Sequence, residues 1–268
     1  MHIDRFRHED IEDFLALAAE EGWLCERWEF EFLLEQFPRG CLVAGKGGEP
    51  VGYVTSIRYE KSGWIGNLIV RDSCRGKGVG SSLMEKALAA LAAEGTETVW
   101  LTASKLGKPI YEKLGFTAMD VINRWVGKGL WNGSAEREAA SRSEILAIDS
   151  AGWGDRRDAV IDATVRRGKL FCADGAFLIC QPCCNGIQVG PWGGTSASAP
   201  LLLDEALLEA GKETRVVLDV PIRNTGQTAH LLERGFSIRG STLLMCRGKA
   251  PAYAPEYISA LASMGSMG

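Results

Sequence analysis

Long apolar runs, histidine and an excess of positive charge are absent or scarce in this sequence. No apolar stretch reaches the roughly 18 to 20 residues that a helix needs to cross a bilayer, and residues 1–14 are charged and periodic, unlike a signal peptide. With a net charge of −4, the chain lacks the broad basic surface that holds nucleic-acid phosphates. These absences predict a cytoplasmic protein that acts on a small or locally recognised substrate, with neither a membrane nor a nucleic acid as partner.

The eight cysteines are spread through apolar stretches, as expected of reduced core residues in a cytosolic protein. Residues 180–184 (CQPCC) contain a C-x-x-C spacing that also occurs in zinc and redox sites. A structural zinc site needs four ligands, whereas the sequence has no second C-x-x-C and its three histidines lie far from this segment. We therefore predict structural cysteines and no metal.

The 268 residues can form one large domain or two domains of ordinary size. Apolar spacing, glycine and proline indicate where helices and strands lie along the first half. The predicted elements are helices at 11–19 and 28–37, strands at 41–44, 51–57 and 64–70, a helix at 81–93, a strand at 99–103, a helix at 108–114 and a strand at 121–126. The order ααβββαβαβ indicates a mixed α/β fold.

Short segments of the first half recur in the second. Residues 168–173 (GKLFCA) echo 40–44 (GCLVA), residues 216–220 echo 99–103, and Gly235-Phe236 echoes Gly115-Phe116 about 120 residues earlier. Such recurrence predicts a duplicated unit. The predicted boundaries are 1–128 for the first domain, 129–143 for a polar linker, 144–250 for the second domain and 251–268 for a tail that forms a short, frayed helix.

Residues 71–80 (RDSCRGKGVG) place three glycines between a predicted strand and a predicted helix. Glycine permits unusual backbone torsions, so that consecutive N–H groups can point at one ligand. The helix start favours an anion, and Arg75 and Lys77 add positive charge. The P-loop spacing is absent, and G-x-G-x-G is not the G-x-G-x-x-G of dinucleotide sites. The segment therefore predicts a turn that binds a pyrophosphate.

Residues 75–80 (RGKGVG) resemble the R/Q-x-x-G-x-G/A signature of GNAT acetyltransferases, in which this loop binds the pyrophosphate of CoA. Residues 111–116 (YEKLGF) are similar to a second element of that family, and the two motifs cover most of residues 1–128. The resemblance implies an α/β (α+β) fold class with two tandem GNAT-like domains, each a mixed, mostly antiparallel sheet flanked by helices. It also implies acetyl-CoA as co-substrate.

The resemblance implies roles for individual residues. Tyr111 would be the general acid that protonates the departing thiolate. Asn67 occupies a catalytic position on the strand where many family members carry a glutamate, but it cannot take a proton. An ordered water that reaches a distant acid, or an amine that arrives neutral, could replace that base. The implied cofactor contacts are Leu68, Ile69, Val70, Arg75, Gly76, Lys77, Gly78, Val79, Gly80, Ser81 and Ser104.

The second half has residues 189–194 (VGPWGG) where the cation-flanked turn would be, and Leu231 in place of Tyr111. A second active site is therefore not expected. The layout resembles a GNAT subgroup with a C-terminal GNAT-like domain, through a loose D-x-x-x-[aromatic]-G-x-x-R match at residues 149–157. We expect this half to bind the amine through Arg157, Asp219 or Asn224, each of which could instead form an ion pair or a helix cap.

These patterns predict acetyl transfer from acetyl-CoA to a primary amine of a small molecule, by direct attack in a ternary complex. One alternative is an acetyl-CoA-binding sensor or partner-binding module without turnover. Another is a protein or peptide N-acetyltransferase. A monomer and a homodimer are both compatible with the sequence.

Overall fold

The structure is a computed structural model that describes residues 1–130, 140–194 and 199–268. The helices are α1 (Ile11–Glu20), α2 (Arg27–Gln36), α3 (Val79–Ala93), α4 (Lys108–Lys113), α5 (Arg142–Trp153), α6 (Asp158–Arg167), α7 (Ala199–Ala210) and α8 (Thr225–Glu233). The strands are β1 (His2–Arg5), β2 (Leu42–Lys46), β3 (Glu49–Arg58), β4 (Ser62–Val70), β5 (Thr98–Ala103), β6 (Thr117–Lys128), β7 (Lys169–Ala173), β8 (Ala176–Cys183), β9 (Gly186–Gly194), β10 (Arg215–Pro221), β11 (Ser237–Gly248) and β12 (Ile258–Ala260).

The order of elements is the same in the two halves of the sequence. Elements α1 to β6, here the first repeat, follow the order ααβββαβαβ, and elements α5 to β11, the second repeat, follow it again. The mixed, mostly antiparallel α/β fold in two tandem copies is thereby confirmed. No described helix is long and apolar enough to span a membrane.

Contacts divide the chain into two compact units that do not coincide with the two repeats. Unit 1 consists of residues 1–101, 246–249 and 265–267, and unit 2 of residues 102–245, 250–264 and 268. Strand β6 of the first repeat pairs with β10 of the second in unit 2. In unit 1, the end of the second repeat lies beside β5, where the Lys249 N–H donates to the Glu97 carbonyl at 3.0 Å. Each unit therefore contains residues from both repeats.

The predicted boundaries at 128 and 143 concern sequence repeats rather than contacts, and they stay a prediction. Residues 131–139 of the predicted linker lie outside the described residues, and Arg142 already belongs to α5. That helix begins with a capping box, in which the Ser141 side chain accepts from the Glu144 N–H.

Unit 1 contains antiparallel strands β1 to β4, with β5 parallel to β4. Helix α3 buries its predicted apolar face, including Leu83, Met84 and Leu91, because these side chains recur at helical spacing. Aromatic rings of β1–α1, α2 and β3 form a cluster in which Phe14 and Phe30 lie 4.4 Å apart. This core fixes α1 and α2 over the sheet that carries the glycine-rich turn.

Unit 2 contains antiparallel strands β7 to β9, with β10 parallel to β9 and antiparallel to β6. Its main core includes Trp125, Trp192, Leu218 and Leu231, all buried. The predicted frayed helix over residues 251–268 is wrong. That segment forms a short 3₁₀ turn and strand β12, which pairs with β9. Apolar residues of the segment, such as Met267, are buried.

Candidate active site

Strand β4 contains a bulge, and the bulge lies beyond the part of β4 that is paired with β5. The registered β4–β5 pairs run from Ser62–Thr98 to Trp64–Trp100, although β4 continues to Val70. The β3–β4 register shifts between Tyr53 and Thr55, and Asn67 opposite this shift has φ of +54°. A left-handed asparagine in a bulge redirects the strand's backbone groups, a feature common beside active sites.

The glycine-rich turn between β4 and α3 presents a helix start. Gly76 has φ of +72° and Gly78, at the N-cap of α3, has φ of +80°. Within the described parts of the chain, no atom beyond the adjacent residues lies within 4 Å of a Cβ built at either glycine, and no side chain caps α3. The first amides of a helix have no partner within it. The turn therefore offers an open anion site at the positive end of α3.

The two cations of the turn also hold its shape. Arg75 donates from Nε to the Val70 carbonyl at 2.9 Å, and its guanidinium pairs with Asp72 and Glu21. Lys77 donates from Nζ to the Ser73 carbonyl at 2.7 Å. These contacts place both exposed side chains beside the glycines, with the Arg75 guanidinium paired to two carboxylates.

A half-buried ion pair that the sequence did not reveal attaches the turn to α1. Arg71 Nη2 lies 2.6 Å from Asp13 Oδ1, and Arg71 Nε donates to the Pro50 carbonyl at 2.8 Å. The Tyr53 hydroxyl donates to Asp13 Oδ2 at 2.6 Å. Burial, with the neighbouring Asp13 carboxylate, raises the pKa of Tyr53, so this phenol remains a hydrogen-bond donor.

A second buried polar cluster lies at the bulge. Asn67 donates from Nδ2 to Thr55 Oγ1 at 2.9 Å and to Ser266 Oγ at 3.3 Å, and Ser266 Oγ donates to Glu29 Oε2 at 2.9 Å. All four residues are buried. Sequence reasoning found Asn67 but missed Glu29 and Ser266. The sequence did hold a signal for Glu29. Its spacing of three residues from Phe32 and four from Leu33 places this carboxylate on the apolar face of α2.

Tyr111 belongs to unit 2, on α4. Its ring is buried and lies edge-on to Phe116 at 6.1 Å. A Cβ at Gly107 would lie 2.9 Å from the Tyr111 ring, so glycine makes room for it. Burial raises the pKa of Tyr111 to about 12, which keeps the phenol protonated at neutral pH. Ser104 is exposed and accepts the Gly107 N–H at 3.1 Å, in the turn before α4.

Two of the predicted substrate contacts form ion pairs in unit 2. Arg157 binds Asp149 through two hydrogen bonds of 3.0 and 2.6 Å, with both side chains buried, and its guanidinium lies 4.5 Å from the centre of the Trp153 ring. Asp219 is fully buried and binds Arg124 through two hydrogen bonds of 2.8 Å.

The third predicted contact, Asn224, caps a helix. Its side chain accepts the Gln227 N–H at 3.1 Å and donates to the Ile258 carbonyl at 3.0 Å. Arg157, Asp219 and Asn224 therefore all have structural partners in unit 2, and substrate binding by them stays a prediction.

The second repeat differs from the expected loop at residues 189–194. These residues are part of strand β9, because Val189 and Trp192 are core side chains and the glycines allow close backbone approach. The segment that follows β9, residues 195–198, lies outside the described residues. Leu231 does correspond to Tyr111: the Phe236 N–H donates to the Leu231 carbonyl at 3.0 Å, as the Phe116 N–H does to the Tyr111 carbonyl at 3.0 Å.

The C-x-x-C segment contributes Cys180, which is buried in β8, and Cys183, which is half-buried at its end. Across the described ranges, no three His, Cys, Asp or Glu residues gather closely enough to hold a metal ion.

Comparison with known proteins gives the family. Residues 3–116 match the acetyltransferase (GNAT) family. An uncharacterized N-acetyltransferase of Archaeoglobus fulgidus is 33% identical over 105 residues, which are 33% of this chain and 71% of that protein. An uncharacterized N-acetyltransferase of Methanocaldococcus jannaschii is 26% identical over 140 residues, which are 44% of this chain and 61% of that protein. The match thus spans less than two thirds of the second relative.

Solved structures share the fold over nearly the whole chain. A candidate acetyltransferase from Pyrococcus horikoshii has a TM-score of 0.83 at 23% identity, covering 100% of this chain and 95% of its own. A GCN5-related N-acetyltransferase from Sphaerobacter thermophilus has a TM-score of 0.65 at 13% identity, covering 97% and 98%. These structures share the fold, and the sequence matches to the family and to the Archaeoglobus fulgidus relative make the chain a member of the acetyltransferase (GNAT) family, built from two tandem GNAT-like domains.

Proposed function

We propose that this protein transfers an acetyl group from acetyl-CoA to a primary amine of a small molecule, by direct attack in a ternary complex. The observation that carries the proposal is the open start of α3 behind Gly76 and Gly78, which no side chain of the described residues caps and which has Arg75 and Lys77 beside it. A pyrophosphate fits this position because backbone N–H groups and the helix dipole both favour an anion there. Residues 75–81 would hold it.

The β4 bulge supports the second part of the proposal, in which the thioester lies along β4 next to the glycine-rich turn. Backbone groups of residues 68–70 lie between Asn67 and the turn, on a strand edge outside the β5 ladder. Backbone donors aimed at the carbonyl oxygen would stabilise the tetrahedral oxyanion that forms as the amine attacks. We assign Leu68 and Val70 to these contacts, and Ile69 to the same wall of the site.

The leaving group is a thiolate, and we propose Tyr111 as the acid that protonates it. A phenol with a pKa near 12 is protonated throughout the neutral range and can supply a proton as the C–S bond breaks. This assignment rests on the family resemblance of residues 111–116 and on the retained protonation state. A sensor that only bound the cofactor would have no use for such an acid.

The test is CoA release, followed as free thiol, over a panel of amines with calorimetric titration of acetyl-CoA alongside. The panel contains ethanolamine, benzylamine, putrescine, amino acids, aminoglycosides, amino sugars and peptides. Release that depends on a small amine supports the proposal, and release only with peptides supports a peptide N-acetyltransferase. Tight binding without release on any amine supports the sensor, and absence of binding overturns the assignment of the turn.

The cellular setting follows from the same features. An acidic chain with reduced cysteines and a CoA-dependent reaction fits the cytoplasm, where acetyl-CoA is available, and we propose that location for the reaction.

A further inference from the structure

We infer that Glu29 accepts the proton of the attacking amine through the hydroxyl of Ser266, which makes these two residues the proton-accepting pair of the reaction. The inference rests on the acetyl transfer proposed above and supplies the base that Asn67 cannot provide. Ser266 Oγ lies 2.9 Å from Glu29 Oε2 and 3.3 Å from Asn67 Nδ2. It therefore stands between a carboxylate and the β4 bulge, beside which the proposed function places the thioester.

The segment that brings Ser266 to the bulge is fixed in unit 1. The Tyr59 hydroxyl donates to the Met267 carbonyl at 2.5 Å. On the other side of Ser266, a Cβ at Gly66 would lie only 2.0 Å from the Gly265 carbonyl oxygen. Glycine at position 66 is therefore required for residues 265–267 to lie against β4, and the serine hydroxyl is held on both sides.

The second repeat shows that the fold does not need this polar cluster. Helices α2 and α6 each have 10 residues, and the third residue is Glu29 in α2 but the fully buried Val160 in α6. The register shifts place Asn67 and Leu68 opposite Val54, and Gly190 and Pro191 opposite Ile179. The position of Asn67 is therefore taken by Gly190 in the second repeat, which has no side chain to hydrogen-bond.

Burying a carboxylate costs free energy unless hydrogen bonds compensate. The same position in a matching helix is served by valine, so packing alone does not explain Glu29. Glu29 and Asn67 both occur in the repeat that carries the pyrophosphate turn, and both are replaced in the repeat that lacks it. This pattern indicates that Glu29 and Asn67 serve the reaction and are not required by the fold.

In the proposed step, the proton moves from the amine to Glu29 by way of the Ser266 hydroxyl. An alkylammonium ion gives one proton to Ser266 Oγ while the serine's own proton passes to Glu29, so the net transfer is from nitrogen to carboxylate. The freed lone pair forms the C–N bond, and the C–S electron pair leaves with sulfur. Nitrogen loses its second proton as the intermediate collapses, and sulfur gains one. Glu29 returns its proton to water, so one proton is released per acetyl group.

The first experiment compares Glu29→Gln with Glu31→Gln, an exposed carboxylate on the same helix that pairs with Arg27. The probe is the best acceptor among ethanolamine, benzylamine and putrescine. We expect Glu29→Gln to lower kcat/KM about 10²-fold at pH 7 with an unchanged Kd for acetyl-CoA. The Glu31 variant should stay within about twofold of the wild type.

The pH profile separates a base from a structural residue. As pH rises toward the pKa of the amine, solution removes the proton, so the ratio of wild-type to Glu29→Gln rates should fall toward one. A ratio that stays constant with pH would show that Glu29 only supports the structure, and would overturn the inference.

Ser266→Ala provides a second variant if Glu29→Gln does not fold, as judged by circular dichroism melting. We expect about tenfold lower kcat/KM with the same recovery at high pH, whereas Ser263→Ala in the same segment should behave as wild type. An active wild type with an unimpaired Ser266→Ala overturns this inference alone. A wild type that acetylates no amine overturns the proposed function as well.

Discussion

The two repeats share their architecture and differ in the residues that could do chemistry. Both have the order ααβββαβαβ, a register shift in the middle of the third strand, and a Gly-Phe corner after the last helix. In the first repeat, residues 71–78 connect that strand to the next helix with glycines and cations. In the second, the connection is residues 195–198 (TSAS), which contain neither.

The side chains differ in the same direction. Tyr111 corresponds to Leu231. The residues that stand in the second repeat at the positions of Glu29 and Asn67 are apolar or lack a side-chain donor. The second repeat therefore serves as an internal comparison, because it shows the same order of elements without the glycine-rich turn and without a counterpart of Tyr111. A buried polar residue confined to the first repeat is the kind of residue to test for function.

The largest expected effect is on acetyl-CoA affinity, from a substitution that disrupts the glycine-rich turn found only in the first repeat's sequence. Gly78→Glu forces a left-handed residue and adds negative charge where the pyrophosphate would bind, so we expect acetyl-CoA affinity to fall by at least about 100-fold. Gly95→Glu is the matched control, since Gly95 has φ of +77° with open space around it, just past the other end of α3. Calorimetry measures both. Equal affinity in the two variants would show that the pyrophosphate lies elsewhere.

The next effect concerns the stability of the second repeat. Asp149→Asn removes a negative charge that makes two hydrogen bonds with the buried Arg157 guanidinium, which should cost about 3–5 kcal/mol of unfolding free energy. Urea unfolding measures the loss. Acetyl-CoA affinity at low temperature should be unchanged if the second repeat has no part in binding the cofactor, and a parallel loss of affinity would contradict that division of roles.

A smaller effect tests the residue that most clearly separates α4 from α8. Tyr111→Phe should lower kcat about 10²-fold, which is typical for loss of a general acid, and leave the Kd for acetyl-CoA nearly unchanged. Tyr253→Phe removes a half-buried phenol of unit 2, one that donates to Asp120 at 3.0 Å, and should reduce stability without this loss of kcat. If Tyr111→Phe weakened binding and turnover equally, the phenol would not be the acid.

The pH dependence of the wild type sharpens the same assignment. Burial raises the pKa of Tyr111 to about 12, so its acid form persists until pH approaches that value. Activity carried by this acid should therefore not fall between pH 7 and 10. A decline in kcat within that range that Tyr111→Phe abolishes would show that the phenol ionises earlier.

The smallest expected effect is at Gly80. A Cβ there would lie 3.7 Å from Val70 Cγ2, an ordinary contact, and Gly80 lies within α3. Gly80→Ala should therefore change acetyl-CoA affinity by no more than about twofold. A large loss would mean that the ligand approaches the backbone at residue 80 more closely than at residue 78.

Local patterns in the sequence predicted the elements and the turn, because helix periodicity and glycine torsions act over a few residues. They failed where distant segments meet. Ser266 lies 237 residues from Glu29 in sequence, and no motif marks either residue. The glycines at 190, 193 and 194 suggested a loop, but in β9 they allow neighbouring chain segments to approach closely. The partners of Arg157 and Asp219 likewise depend on tertiary packing.

The pairing of β6 with β10, together with the contact of Lys249 with Glu97, bears on how a duplicated protein can evolve. A fragment cut between the repeats would leave β6 without its neighbour and would remove residues 246–249 from beside β5. Each copy thus depends on the other for part of its sheet. The side chains of the second copy can therefore change while its strands are still needed to complete the sheet of the first. Loss of the second copy would be selected against even if it catalysed no reaction.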